Sequence, residues 1–388
     1  MLLKALYGLK GSPRAWYEHL SDYLLNLGFE KSELDACLFV YFYNETLVLM
    51  VGVFVDDLIL AGTQECVQWF RIEIKKEFLM DDLGQPKRIL GIDVTTTSEY
   101  FILNQPTYID KVVTKFNMAG STKKATPMET KMKFTKSMCD DNDKVSEFPY
   151  RSLVMSLLYL AICTRFDLAN TCKELCRFLD KPGTMMVSTA KRAVRYLIGS
   201  KHFGLKYYRK WRSDRILSIS SNWGPTDPVK CYTDADWAGQ VDDSKSTEAM
   251  ALLFNGTIIA WHSKTLKIVA LSSQDAEYMA LSDGSREIIF VRQLLSTLGF
   301  NLIDAPTELY GDNNGSLAIS NNPAAHQKTK HIRIRYHFIR QGIEMKEIKT
   351  VKAPTDLQLA DVLTKPLDQN QHWLLINLAS GHMVGYDA

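Results

Sequence analysis

Apolar residues recur at helical spacing over 13–29, where Trp16, Leu20, Tyr23, Leu24 and Leu27 share a face and Gly28 supplies a stop. The pattern then turns to strand: residues 38–43 and 47–61 predict a hairpin around Tyr43-Asn44-Glu45. Val67 to Phe78 reads as a helix, and Arg88–Val94 with Tyr100–Leu103 as a second strand pair. Residues 121–147 are polar and irregular, as a linker would be. A helical region runs from Tyr150 to Leu197, broken at Pro182-Gly183, and a second linker spans 212–228.

Beyond that linker the spacing changes. Strands are predicted at 230–233, 248–254, 257–262 and 267–270, a long helix at 273–298, and a strand at 307–311. Helices at 314–321 and 331–344, a strand at 347–352 and a helix from Thr355 complete the pattern. Strands, a helix, then alternating strands and helices describe a mixed sheet covered by helices. The expectation is a multidomain chain of α/β and α+β class, divided into residues 1–117, 118–222 and 223–388.

Chemistry enters at Asp56-Asp57, inside Phe54-Val55-Asp56-Asp57-Leu58 and directly after a valine-rich apolar run. Adjacent carboxylates in such a hairpin are costly unless they are solvated or bind a cation. A turn presenting them to a divalent metal and a plain polar turn both fit. Four further acids fall at telling places. Asp234 ends a strand in Tyr232-Thr233-Asp234-Ala235, Glu277 lies near the start of the long helix, Asp312 ends a later strand, and Asp361 sits in Ala360-Asp361-Val362-Leu363-Thr364-Lys365. Acids at strand C-termini face the crevice where open α/β sheets bind ligands. Carboxylates converging there repel one another without cations, and hard oxygen donors favour Mg²⁺, with Mn²⁺ as the alternative. A helix N-terminus, a surface acid and an ordinary turn account for Glu277, Asp361 and Asp312 taken singly.

A formal charge of +2 says little, but its distribution is uneven. Lys191 to Arg215 holds nine Lys or Arg against Asp214 alone, interleaved with aromatics. Lys328 to Arg340 holds five Lys or Arg, two His and no acid. Such stripes suit a phosphate backbone, or are solvated helix faces. The seven cysteines show no C-x-x-C spacing and read as small buried residues in a reducing compartment. The apolar run before Asp56 is too short to span a membrane, and no signal peptide is visible, so an intracellular location, cytoplasmic or nuclear, is expected.

These motifs resemble a known family. Leu6-Tyr7-Gly8-Leu9-Lys10-Gly11-Ser12-Pro13-Arg14-Ala15-Trp16-Tyr17 is similar to the template-binding motif of reverse transcriptases from copia-type LTR retrotransposons, and Phe54-Val55-Asp56-Asp57 to their catalytic hairpin. Asp82-Leu83-Gly84 with Leu90-Gly91-Ile92, and Tyr150-Arg151-Ser152-Leu153 through Thr164-Arg165-Phe166-Asp167, follow in the family's order. Trp261-His262-Ser263-Lys264, Ala276-Glu277-Tyr278, Lys330-His331-Ile332 and Ala360-Asp361 through Lys365 resemble the ribonuclease H of the same polyprotein.

The resemblance implies a partial palm over 1–117, a helical thumb or connection over 118–222 and a ribonuclease H-like domain over 223–388. It implies that Asp234, Glu277, Asp312 and Asp361 are catalytic metal ligands hydrolysing the RNA strand of an RNA–DNA hybrid, one metal activating water and the other stabilising the leaving 3′ oxygen. Lys10, Arg14, Lys328, Lys330 and His331 become candidates for nucleic-acid contact; a role for His331 in product release or water positioning yields to its reading as a satisfied structural histidine. The family's first catalytic Asp is not among the upstream acids, so Asp56 and Asp57 are expected to be a vestigial polymerase site. Departures from the family are Met155, Phe166, Glu248-Ala249 and Arg333. The competing expectation is an inactive remnant that binds nucleic acid; oligomeric state, host and cleavage preference are not written in the sequence.

Overall fold

The computed structural model describes residues 8–139, 145, 147–210, 228–300, 305–321 and 333–382, the side chains of 333–336 excepted. The chain divides into two compact units, residues 1–85 with 290–302, and residues 86–289 with 303–388.

In the first unit, α1 (Ser12–Asn26) starts behind Gly11 with proline in its first turn, where the missing N–H costs nothing. Gly28, at φ +93°, reverses the chain so that Phe29 N–H reaches Leu24 O. Strands β1 (Glu30–Lys31), β2 (Leu38–Tyr43), β3 (Thr46–Phe54) and β4 (Asp57–Gly62) form an antiparallel sheet in that order. The helix α2 (Gln64–Glu77) is capped by Thr63, whose hydroxyl accepts the Cys66 N–H. Leu20, Leu24, Phe39, Leu49, Val51, Phe70 and Ile74 pack between helices and sheet. The turn expected at Asp56-Asp57 divides residues 47–61 into β3 and β4, which pair antiparallel across Val55-Asp56.

In the second unit, β5 (Arg88–Ile89), β6 (Ile92–Thr96) and β7 (Tyr100–Asn104) lead into α3 (Pro106–Lys115). Helices α4 (Tyr150–Cys163), α5 (Ala169–Cys176) and α6 (Thr184–Gly199) follow, then β8 (Gly204–Tyr208), which pairs with β7. That pairing joins residues 88–104 to 204–208 within the second unit, whereas the first takes residues up to Gln85 together with 290–302.

The larger sheet is built from β9 (Val229–Asp236), β10 (Thr247–Phe254), β11 (Thr257–Thr265), then, after α7 (Ser273–Thr297), β12 (Thr307–Gly311). Helices α8 (Asn314–Asn321) and α9 (Arg333–Glu344), strand β13 (Ile348–Lys352), and helices α10 (Asp361–Thr364) and α11 (Gln369–Ser380) complete it. Its order is β11-β10-β9-β12-β13, with β9 antiparallel to β10 and parallel to β12, and β12 parallel to β13. Three antiparallel strands extended by two parallel ones is the ribonuclease H-like topology. The strand expected at 267–270 is irregular: Ile268 and Val269 are exposed, and the segment turns the chain from β11 into α7.

Over the described part of the basic stripe after Lys191, most cations have partners within their own unit, although Lys191, Arg209 and Lys210 are exposed. Lys191 lies over the Phe148 ring, Arg192 pairs with Glu129, and Arg195 donates to Thr122 O. Lys201 pairs with Asp110, Lys206 covers Tyr100, and Arg209 donates to Thr97 O. Its aromatics Tyr196 and Phe203 are fully buried. The stripe stitches α6 and β8 into their own unit.

One polar network sits wholly inside this core. Arg165 and Asp167 are both without solvent exposure, joined by Nε–Oδ1 at 3.0 Å and Nη2–Oδ2 at 2.7 Å. Arg165 Nη2 also donates to Ser200 Oγ at 2.7 Å, and Tyr196 OH donates to Asp167 Oδ2 at 2.6 Å. His372 Nε2 lies 3.0 Å from the Tyr196 hydroxyl, which ties α11 to α6. Burial lowers the His372 pKa to about 4, so the imidazole is neutral. Phe166 fills the core against Phe203 and Trp261.

Candidate metal centre

In the first unit, Asp56 and Asp57 are exposed at the β3–β4 turn, with Phe54 paired to Asp57. Val55 adopts φ +53°, a region that costs an L-residue about 1–2 kcal/mol and suits a β-branched one least. Trp16 Nε1 donates to Val55 O at 2.7 Å and holds the strained carbonyl from α1. Val55 is 56% exposed, so little packing opposes its replacement. Val55→Gly is therefore expected to stabilise the first unit by about 1 kcal/mol, read as a higher urea midpoint; a lower midpoint would mean that the side chain packs. Among the described residues no third His, Cys, Asp or Glu joins this pair within 4.8 Å. Lys10 and Arg14 are exposed, Arg14 being paired with Glu18 at 2.7 Å. Lys328, Lys330 and His331 lie outside the described residues.

The C-terminal acids converge. Asp234 stands near the end of β9, Glu277 in α7 and Asp312 just beyond β12, and a carboxylate oxygen of each lies within 4.8 Å of the others. β9 and β12 are parallel neighbours, so their C-terminal ends open on the same side of the sheet. Asn313 Oδ1 accepts the N–H groups of Gly315 and Ser316 and starts α8 immediately after Asp312. Asp361 opens α10, which Gln358 fixes by donating from Nε2 to Thr233 O at 3.0 Å. Thr364 Oγ1 donates to Asp234 Oδ2, and Lys365 Nζ lies 2.9 Å from Asp361 Oδ1 and 3.8 Å from Asp234 Oδ2.

The electrostatics are those of too many carboxylates for the cations present. Burial, then the charges of Asp234 and Asp312, push Glu277 up to about 9. Burial and Asp234 push Asp361 up to about 7 and raise Asp312 as well. Burial pulls the Lys365 ammonium down, but Asp234 and Asp361 outweigh it and hold its pKa above the ordinary lysine value. Glu277 Oε2 is buried without a hydrogen-bond partner, an expensive state for a carboxylate oxygen. A hard, all-oxygen donor set with such an orphan fits a divalent cation of the Mg²⁺ or Mn²⁺ kind. Thr364 and Lys365, without a role in the sequence pattern, close α10 three and four residues after Asp361, Lys365 as its extended C-cap residue.

A second donor group, Glu248, His262 and Asp283, also falls within 4.8 Å. Here the charge balances. Lys264 Nζ reaches Asp283 at 2.5 Å and Glu248 at 3.0 Å, and Arg286 lies 3.6 Å from Asp283. Burial and the Asp283 charge raise Glu248 to about 7. A carboxyl raised in the folded state contributes its full stability below the unfolded pKa near 4.5 and loses it as pH climbs through about 7. Glu248→Gln removes that loss. The stability difference between variant and wild type is expected to move in the variant's favour by about 2 kcal/mol from pH 5 to pH 8. Urea titrations at the two pH values check it, and a pH-independent difference would show that Glu248 holds no extra proton.

A crevice of acids thus lies at the end of a ribonuclease H-like sheet, in a chain that also carries an exposed Asp-Asp hairpin. Residues 1–130 match the family described as "Reverse transcriptase (RNA-dependent DNA polymerase)". The chain is 33% identical to the retrovirus-related Pol polyprotein from transposon TNT 1-94 of Nicotiana tabacum over 98% of its length, covering 28% of that protein. It is 35% identical to the Pol polyprotein from transposon RE1 of Arabidopsis thaliana over 95% of its length, covering 24% of that protein. The chain is thus similar to these Pol polyproteins, and spans about a quarter of the length of these curated relatives. Among solved structures, a foamy viral protease-reverse transcriptase in complex with dsDNA aligns over 90% of this chain and 60% of its own, at 13% identity and a TM-score of 0.42. No described helix is long and apolar enough to cross a membrane.

Proposed function

We propose that residues 223–388 form a divalent-metal-dependent ribonuclease acting on the RNA strand of an RNA–DNA hybrid. The observation that carries this reading is the convergence of Asp234, Glu277 and Asp312 within 4.8 Å, with Glu277 Oε2 buried and unpartnered. Asp234, Glu277, Asp312 and Asp361 would hold the ions. The ions, when bound, supply positive charge at the scissile phosphodiester and ease deprotonation of the attacking water. The chain's own residues do the positioning. Thr364 orients Asp234 through its hydroxyl, Gln358 anchors the loop before α10 to β9, and Asn313 fixes the turn that carries Asp312. Contacts to the 2′-hydroxyl would separate RNA from DNA at the cleaved strand.

The Asp56-Asp57 hairpin is read as a vestigial polymerase site, because among the described residues no further acid completes it. Lys10, Arg14, Lys328, Lys330 and His331 remain proposed backbone contacts, whose signature is salt-sensitive binding. The test uses the full chain with a hybrid labelled on its RNA strand, in Mg²⁺ and then Mn²⁺. RNA fragments from the hybrid, and none from the corresponding DNA duplex, are expected. Folded protein that binds hybrid in a salt-dependent way yet cleaves in neither metal would overturn the enzymatic reading in favour of a binding remnant.

A further inference from the structure

We propose that Lys365 is a tethered counter-cation that reserves one of the two ion positions, so that the centre fills in two unequal steps. The inference rests on the reading that the four acids bind divalent metal. Its basis is how the acids divide. Asp234, Glu277 and Asp312 share a space within 4.8 Å; Asp361 stands outside that group and meets Asp234 only along an edge, which the Lys365 ammonium occupies at 2.9 Å from Asp361 and 3.8 Å from Asp234.

Charge separates this arrangement from the other donor group. At Glu248 and Asp283, two acids share Lys264, with Arg286 3.6 Å from Asp283, so the cations there match the acids more nearly. At Asp234, Glu277, Asp312 and Asp361, four acids meet Lys365, so the trio keeps an attraction for a cation that Lys365 does not satisfy. A first ion would enter the trio, which Lys365 meets only at Asp234 from 3.8 Å. The second must take the Asp234–Asp361 edge and displace the ammonium. Lys365 has somewhere to go: its side chain is 41% exposed, and a flexible four-carbon stem lets it swing into water. A resident ammonium 2.9 Å from Asp361 and 3.8 Å from Asp234 opposes a second cation on that edge more strongly than a first one in the trio. Lys365 is in this sense a positioning residue: it keeps the edge formed before metal arrives and sets how much metal is needed to complete the centre.

The experiment counts ions on the full chain. Mn²⁺ binding is followed by calorimetry and by the loss of its free-ion resonance signal at pH 7.5, in wild type, Lys365→Met, Lys365→Arg and Asp361→Asn. Wild type is expected to show a tight and a weak class. Lys365→Met is expected to tighten the weak class about tenfold while the tight class changes less than twofold. Lys365→Arg should keep the two-step isotherm, and Asp361→Asn should lose the weak class alone. If Lys365→Met folds poorly, the arginine and asparagine variants carry the test, since the charge-conserving one must retain the split and the ligand-removing one must abolish it. A Lys365→Met isotherm superimposable on wild type, or two equal sites in wild type, overturns the role of Lys365 while leaving metal binding intact. Wild-type protein that binds no Mn²⁺ overturns the metal centre itself.

Discussion

Replacing Asp167 by alanine is expected to cost about 3–5 kcal/mol of stability, enough to unfold much of the second unit at ordinary temperature. The reason is the partner left behind. Arg165 is fully buried and donates to Asp167 through Nε and Nη2, so truncating Asp167 strands a guanidinium where water does not reach. Ser200 retains two of its bonds, at 2.7 and 3.2 Å, but neither supplies a negative charge. Tyr196 loses the acceptor for its hydroxyl as well, and through it the link to His372 on α11. Burial would raise the Asp167 pKa, but Arg165 and Tyr196 reverse it and hold the carboxyl below its usual range. Urea denaturation of the second unit checks the cost. Replacing both partners with apolar residues, Arg165→Met with Asp167→Leu, should recover much of it, because no orphan charge then remains. A single-variant loss below about 1 kcal/mol would mean that water enters the network.

That network marks where sequence reading stopped. Thr164-Arg165-Phe166-Asp167 was visible as a motif, but two charges two residues apart look like an exposed turn until Tyr196, Ser200 and His372 arrive from distant elements. The helices and most strands were legible because each buries one face and so repeats at its own period. The β8 strand was not, because Lys206 and Arg209 masked it as part of a basic run, and their partners Tyr100 and Thr97 lie about a hundred residues away. The strand expected at 267–270 failed the other way. Ile268 and Val269 have strand propensity, yet the short return from β11 to α7 leaves them exposed and unpaired with the sheet.

At the acid crevice, the strand-end positions of Asp234 and Asp312 could be read directly. The arrangement around them could not: the Thr364 bond to Asp234 and the Lys365 position between Asp234 and Asp361 depend on α10 folding back against β9.

Asp234→Asn is expected to abolish hybrid cleavage, by about a thousandfold or more, and at the same time to make the protein more stable in chelator. Asp234 is the acid that both halves of the crevice share: it belongs to the trio with Glu277 and Asp312, and it faces Lys365 on the Asp361 side. Removing its charge therefore weakens both ion positions at once, and several kcal/mol of lost charge stabilisation at the phosphodiester corresponds to that fall in rate. The shape is kept, since an asparagine oxygen still accepts from Thr364 Oγ1. Stability moves the other way for the same reason. Asp234 is a named cause of the raised pKa of Glu277, Asp312 and Asp361, so its neutralisation relieves all three. The gain should appear above about pH 7, where those carboxyls must otherwise ionise against one another, and fade as pH falls below about 4, where folded and unfolded chains both take up these protons. Single-turnover cleavage and melting temperature in chelator, measured on the same preparation across that range, test both halves. Loss of activity with a fall in stability would make Asp234 a structural acid, whereas loss with a gain is the behaviour of a site that holds repulsion in readiness for cations.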